Sequence, residues 1–206
     1  MSDMSLADVI STQRSVREFT DLPVEDGVLR RIMELATKAP NGGNNQGWRF
    51  LIVRDSEQRR RLGELYIESA KEQWGGDLGA VLASGEVGDL QRPLVEMIRD
   101  MPHKPPVQLL ACFERQNAYD PAPSIYPAVQ NLMLAAWSFG LGTVLTTALQ
   151  RTRDKEVREV LSIPEDILIY AFIPMGYPAR PYGRPRRKPV QEVTFFDHWG
   201  SRAGWE

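Results

Sequence analysis

Ser124-Ile125-Tyr126-Pro127-Ala128-Val129-Gln130-Asn131-Leu132-Met133-Leu134-Ala135-Ala136-Trp137-Ser138-Phe139 contains no charged side chain. Ile125, Val129, Leu132, Ala136 and Phe139 recur at helical spacing, and Tyr126, Met133 and Trp137 widen the stripe until almost no face is polar. The spacing predicts a helix over 125–139, capped by Ser124, with Pro127 tolerated in its first turn and Gly140 closing it. A helix this apolar needs cover on nearly every side. The charge-free run extends from Pro121 to Gln150, longer than the ~20 apolar residues that span a bilayer. Pro123, Pro127, Gln130, Asn131, Ser138, Gly140 and Gly142 interrupt it, and no basic cluster flanks it. The reading is therefore a helix buried in a protein core or subunit interface.

With 206 residues, the chain is near the size of one domain, and 42% hydrophobic with 25% charged residues excludes a disordered chain, a collagen-like repeat and a disulfide scaffold. A net charge of −2 selects neither nucleic acid nor an anionic membrane as partner. The distribution is more telling, because from Ile167 to Gln191 every charge is positive: Arg180, Arg184, Arg186, Arg187 and Lys188. Cys112 is the sole cysteine and lies in the apolar run Val107–Phe113, so it reads as a buried, inert strand residue. Besides it, only His103 and His198 could be soft ligands, too few for a structural zinc site. The N-terminus, with Asp3 and Asp8 and no apolar block, does not read as a signal peptide, and the expected home is the reducing cytoplasm.

Working outward, Leu6–Thr12 reads as a short amphipathic helix and Glu25–Lys38 as a second, with Val28, Leu29, Ile32, Met33, Leu35 and Ala36 on one face. Trp48–Val53, Val107–Phe113 and Leu168–Met175 have strand composition, and Leu141–Thr147 reads as a strand or extended loop. Charged helices are expected over 56–73 and 153–161. The stretch 75–106 is the least regular, with a helical pattern through Leu90, Leu94, Val95 and Ile98, and is expected to be a lid insert in a single domain spanning 1–206. Residues 177–206 form a basic tail and extension.

Three separate segments suit a polar, anionic ligand. Arg14-Ser15-Val16-Arg17 offers two guanidinium groups and a hydroxyl, the side chains best shaped to grip phosphate. Arg184–Lys188 adds positive charge near the other end. The loop Ala39-Pro40-Asn41-Gly42-Gly43-Asn44-Asn45-Gln46-Gly47-Trp48 combines a backbone open to close approach with amide donors and acceptors, which fits the edge of a heteroaromatic ring better than a metal. Taken singly, each is equally a solvated surface, a turn or a basic ribbon.

In order and spacing, however, Arg14-Ser15-Val16-Arg17-x-Phe19 with Pro23, the 39–48 loop, Val129–Ala136, Gly140-Leu141-Gly142 and Gly176-Tyr177-Pro178 resemble the FMN-dependent nitroreductase family. The resemblance implies an α+β fold, with a central mostly antiparallel sheet flanked by helices, in an intertwined homodimer with FMN at the subunit interface. It implies flavin contacts from Arg14, Ser15, Arg17 and Arg187, from Pro40, Asn41, Gly42 and Asn44 of the partner subunit's loop, and from backbone near Thr146 and Thr147. It also implies ping-pong hydride transfer from NAD(P)H to nitroaromatic, quinone or similar acceptors, with no protein acid, base, nucleophile or metal required. Gln13 and Gly47 depart from common family residues, as does Thr147-Ala148, which weakens any transfer of substrate preference. Narrower flavin reactions (dehalogenation, enoyl or imine reduction, flavin breakdown), flavin storage and nucleic-acid binding by the tail are the alternatives.

Overall fold

The computed structural model describes residues 4–85, 88, 91–101, 104–115 and 120–205. Its elements run α1 (Leu6–Thr12), α2 (Asp26–Ala36), β1 (Trp48–Val53), α3 (Ser56–Trp74), α4 (Leu78–Ala83), α5 (Arg92–Asp100), β2 (Val107–Glu114), α6 (Ala122–Ser138), β3 (Gly142–Thr143), α7 (Ala148–Thr152), α8 (Asp154–Leu161) and β4 (Ile167–Gly176). The strands form one sheet in the order β1-β2-β4-β3 with every neighbouring pair antiparallel. The fold is α+β, as the resemblance implies.

β2 is apolar without alternation because both of its faces are covered. Leu109, Ala111 and Phe113 pack with Leu29 and Ile32 of α2 and Ile125, Val129 and Leu132 of α6. Leu110 and Cys112 face the opposite layer, with Leu62 and Tyr66 of α3, Val95 and Ile98 of α5, Leu149 of α7 and Val157 of α8. Gln108, also fully buried, donates from Nε2 to the carbonyls of Arg59 (3.1 Å) and Met101 (3.2 Å), tying α3 and the end of α5 to the sheet. In β4 the partner of Ala111 is Ala171 but that of Cys112 is Ile169, so Tyr170 is an extra residue, a β-bulge. The bulge re-phases the strand: Ile167 and Ile169 join the α3 side, whereas Ala171, Ile173 and Met175 join the α6 side.

Two sequence expectations shift for identifiable reasons. α6 begins a turn early, at Ala122 after Pro121, because Ser124 is not its cap. The buried Ser124 hydroxyl instead accepts the Gly42 N–H at 3.1 Å, and Pro127 consequently lies inside the helix. Gly140 does close it: its φ of 79° lets Leu141 N–H reach the Ala136 carbonyl at 2.9 Å. The extended 141–147 stretch reduces to the two residues of β3, with one further bridge at Thr146–Phe172. Val144 donates to the carbonyl of Pro174 at 3.3 Å, but proline has no N–H to return the bond, and the ladder lapses there.

The described residues of 75–106 form two helices, α4 and α5, where the composition suggests little regular structure. Asp77 caps α4 by accepting the N–H groups of Gly79 and Ala80, and α5 buries Val95, Met97 and Ile98. Leu90, Pro102 and His103 lie outside the described residues. Among the described residues, no helix is long and apolar enough to cross a membrane.

Candidate functional site

The segment carrying Arg14, Ser15 and Arg17 runs beside β3. Val16 donates its N–H to the Thr143 carbonyl at 2.9 Å, and Phe19 pairs with Pro178. Val16 is fully buried against Gly142, where a Cβ would lie 2.5 Å from the Val16 Cβ, so the close approach depends on glycine. With Val16 turned inward, Ser15 and Arg17 are left to line a cavity of about 720 Å³ together with Tyr66, Thr146 and Thr147. A second cavity of about 710 Å³ shares Ser15, Arg17 and Leu145 with the first and is lined further by Arg14, Arg184, Arg186 and Arg187. The two make one groove, with the arginines at one end and the threonines towards the other.

Among the described residues, none that lines the arginine end is acidic. Arg14 donates to the Gly183 carbonyl at 3.1 Å, and Arg187 to the Arg186 carbonyl at 2.9 Å; neither is ion-paired among the described residues. Arg17 is half-buried and its Nε is buried without a hydrogen-bond partner. Desolvation, and secondarily the neighbouring Arg14 charge, press the Arg17 pKa down from its ordinary value. A guanidinium held in this way is short of an anion.

Tyr182, which sequence reasoning missed, clips the tail to the N-terminal segment. Its hydroxyl accepts the N–H groups of Arg17 and Glu18 at 3.4 and 3.3 Å, and its ring carries Arg180 at 4.6 Å on one contact and Arg14 at 5.4 Å on another. Arg180 is further fixed by Glu18 at 2.7 Å. The available signal was Tyr182 standing between Arg180 and Arg184 in the tail.

At the other end, the two threonines are not equivalent. Thr146 exchanges both backbone hydrogen bonds with Phe172 at 2.9 Å, and its hydroxyl also donates to the Phe172 carbonyl. Thr147, just before α7, makes no side-chain capping bond, and its N–H has no partner among the described residues. Of the expected backbone contacts, the Thr147 N–H is therefore the one left free.

The 40–44 loop is not part of this groove within one chain. Pro40, Asn41 and Gly42 line a separate cavity of about 560 Å³ beside Pro123 and Ser124, and Asn44 lines neither. The loop is nevertheless held in an uncommon shape, with Asn44 and Gln46 both at positive φ. Asn41 Oδ1 fastens it by accepting the Gln46 N–H at 2.7 Å, which leaves Asn41 Nδ2 buried and unpartnered.

Among the described residues, no three His, Cys, Asp or Glu side chains gather to hold a metal. Cys112 is buried, and burial pushes its thiol pKa up to about 12, which suits packing rather than nucleophilic attack.

Residues 10–177 match the nitroreductase family. The chain belongs to that family. An NADH dehydrogenase of Thermus thermophilus is 30% identical over 193 residues, covering 89% of this chain and 92% of its own. An iodotyrosine deiodinase of Thermotoga neapolitana is 30% identical over 197 residues, covering 93% and 98%. Among solved structures, an oxidised iodotyrosine deiodinase bound to FMN and 3-iodo-L-tyrosine superposes with a TM-score of 0.71 at 27% identity, covering 90% of this chain and 96% of that one. As a nitroreductase-family member, the chain is an NAD(P)H-dependent flavin oxidoreductase. The family match ends at Tyr177, so the placement of Arg184, Arg186 and Arg187 beside Arg14 and Arg17 rests on geometry alone.

Proposed function

We propose that the groove holds FMN, with its phosphate at the arginine end and its ring between Arg17 and Thr147, and that the chain passes two electrons from NAD(P)H to nitroaromatic, quinone or similar acceptors. The observation that carries this reading is Arg17 Nε, a buried donor with no partner among the described residues, in a groove whose arginine end is lined by no described acidic residue. Such a group gains a hydrogen bond and a counter-charge only from an anionic or strongly polar ligand.

FMN held here would supply the two-electron chemistry between a reduced nicotinamide and an oxidised acceptor. The protein supplies binding and field. Arg14, Arg184, Arg186 and Arg187 neutralise phosphate, and the Ser15 hydroxyl offers a neutral donor or acceptor next to them. Arg17, whose backbone N–H is held by the Tyr182 hydroxyl, would offer positive charge to the ring system and so stabilise negative charge on it. Thr147 lines the same cavity as Arg17, and its N–H, without a partner among the described residues, would donate to the ring. Leu94 and Ile98 of α5 line the same groove end and restrict water there. No side chain of this site is assigned as acid, base or nucleophile.

The site is completed by a second copy. Asn41 Nδ2, buried and unpartnered on a loop outside the groove, fits a contact with the other subunit's cofactor. α6 with its exposed neighbours Leu6 and Ile10 on α1 provides the apolar surface for that homodimer. A cytoplasmic location fits the single buried cysteine.

The deciding experiment is the visible spectrum of the purified protein, followed by anaerobic titration with NADH and NADPH separately. A yellow protein bleached by either nucleotide and reoxidised by a quinone is expected. Protein that is colourless, does not take up added FMN and shows no flavin-dependent NAD(P)H oxidation would refute the proposal. Reductive dehalogenation is the narrower alternative, which the likeness to deiodinase relatives fits only weakly; halide release from 3-iodotyrosine by the reduced protein tests it.

A further inference from the structure

α7 carries two arginine neighbours in opposite circumstances. Arg153, just beyond its end, is drawn to three carboxylates: Glu68 at 3.7 Å and Glu72, both on α3, and Glu156 at 3.9 Å. Arg151, two positions earlier, has no ion pair and no side-chain hydrogen bond among the described residues, although it lines the groove with Thr146 and Thr147. Glu68 and Glu72 of α3 are thus paired with Arg153, and Arg151 lines the groove without an ion pair among the described residues. Glu72 lines the same space, but its carboxylate is held by Arg153, which also lowers its pKa.

Arg151 is not needed for the cofactor phosphate. It does not line the arginine end of the groove, where Arg14, Arg184, Arg186 and Arg187 gather. Its surroundings are those of a substrate subsite with two characters. Tyr66, Ala70, Leu94 and Ile98 offer a flat apolar wall between α3 and α5. Ser69 and Thr152 make a polar end, their hydroxyls joined at 2.7 Å, and the Thr152 hydroxyl reaches the Ala148 carbonyl at 3.2 Å, so α7 is pinned to α3 and Arg151 is carried on a fixed helix.

We propose that Arg151 is a specificity-determining residue that recruits ligands carrying an anionic group, carboxylate or phosphate, on a flat apolar body lying along Tyr66, Ala70, Leu94 and Ile98. It rests on the flavin-oxidoreductase reading above. The anion could belong to the acceptor, as an aromatic carboxylate, or to the donor, as the 2′-phosphate that distinguishes NADPH from NADH; the shared chemistry is an oxyanion facing a guanidinium.

The test uses FMN-loaded protein and compares wild type with Arg151→Ala, Arg151→Glu and Arg151→Lys. Two ratios of kcat/KM are read, NADPH over NADH and 4-nitrobenzoate over 4-nitrobenzyl alcohol, alongside calorimetric binding of benzoate and of adenosine 2′,5′-bisphosphate. Because Arg151 is solvent-exposed, its pairing is worth less than a buried one, and Arg151→Ala is expected to lower one of the ratios about fivefold. Arg151→Glu lowers it further, Arg151→Lys restores most of it, and the effect shrinks as salt is raised towards a Debye length of about 8 Å. A fall in the nucleotide ratio assigns the anion to the donor, and a fall in the nitrobenzoate ratio assigns it to the acceptor. Ratios and affinities within twofold of wild type in both Arg151→Ala and Arg151→Glu overturn the proposal, as does loss of FMN in step with the preference, which would place Arg151 on the cofactor. A wild type that binds no FMN and oxidises no NAD(P)H refutes the underlying functional reading instead.

Discussion

Replacing Gly142 by alanine joins fold and site in one perturbation. The new methyl group would stand 2.5 Å from Val16 Cβ and Cγ2 and 2.6 Å from Cγ1. Ordinary carbon contacts begin near ~3.5 Å, so Val16 must retreat by about 1 Å. A rotamer change cannot achieve this, because the Val16 Cβ itself is in the way and the side chain is fully buried. The Ser15–Arg17 backbone must therefore move away from β3, straining the 2.9 Å bond from Val16 N–H to the Thr143 carbonyl. Overpacking of this kind costs about 2 kcal/mol, which for a chain of this size lowers Tm by roughly 4–8 °C. The same 1 Å displaces Ser15 and Arg17, so FMN affinity is expected to fall about tenfold beyond the stability loss. Apoprotein Tm by calorimetry and FMN affinity by fluorescence quenching give the two numbers separately. The double variant Gly142→Ala/Val16→Gly removes the obstructing Cβ with its branches and is expected to recover much of the affinity. Wild-type Tm and FMN affinity in the single variant would refute the reasoning outright; a double variant no better than the single would show that Val16 is not the obstacle.

Arg17→Leu separates ligand from fold: FMN affinity should drop about thirtyfold, the scale of a charge-assisted bond, while the apoprotein Tm stays level or rises because an uncompensated half-buried cation has been removed; a clear fall in apoprotein Tm contradicts this. Arg184→Ala/Arg186→Ala/Arg187→Ala should weaken FMN binding and flatten its salt dependence, measured by titration at 50 and 300 mM salt, and an unaltered salt slope would detach the tail from the phosphate. Cys112, with its pKa raised to about 12 by burial from 9.0, keeps its proton in the folded state and loses it on unfolding. Stability should therefore fall from pH 9 towards 12, by up to ~1.4 kcal/mol per unit, a contribution that Cys112→Ala abolishes in urea melts. Light scattering should give twice the 23.3 kDa chain mass, and a stable monomer at micromolar concentration would remove the second copy from the site.

What could be read from the sequence follows the range of the interactions. β2 declares itself because burial on both sides of a strand demands uninterrupted apolar residues, and α6 because its buried face, Ile125, Val129, Leu132 and Ala136, recurs at helical spacing. The end of α6 was equally legible, since Gly140 supplies the left-handed conformation the closing turn needs. Its start was not: Ser124 is a good capping residue, but its hydroxyl is taken by Gly42, 82 positions away. Similarly, Leu141–Thr147 has strand composition, yet only its partner decides how much pairs, and Pro174 on β4 cannot return the bond. Tyr182 has no local signature either, because its role is made by Arg14, Arg17, Glu18 and Arg180 arriving from two ends of the chain.

The site divides along the same line. Arg14, Ser15 and Arg17 are close in sequence and act as a unit, so their chemistry shows in the sequence alone. Their meaning changes with the fold, because the single chain brings the tail arginines and Thr147 to them and leaves the Pro40–Asn44 loop elsewhere. A loop that takes positive φ at Asn44 and Gln46, and buries Asn41 Nδ2 without a partner among the described residues, carries a local cost in stability. Arg17 Nε poses the same deficit from the other side of the problem. Two buried donors without partners among the described residues, on segments that share no cavity within one subunit, would each gain one if a second copy placed its loop over the groove with an anionic, hydrogen-bonding ligand between them. Dimerisation and ligand binding are then two halves of a single hydrogen-bond account, and neither half closes without the other.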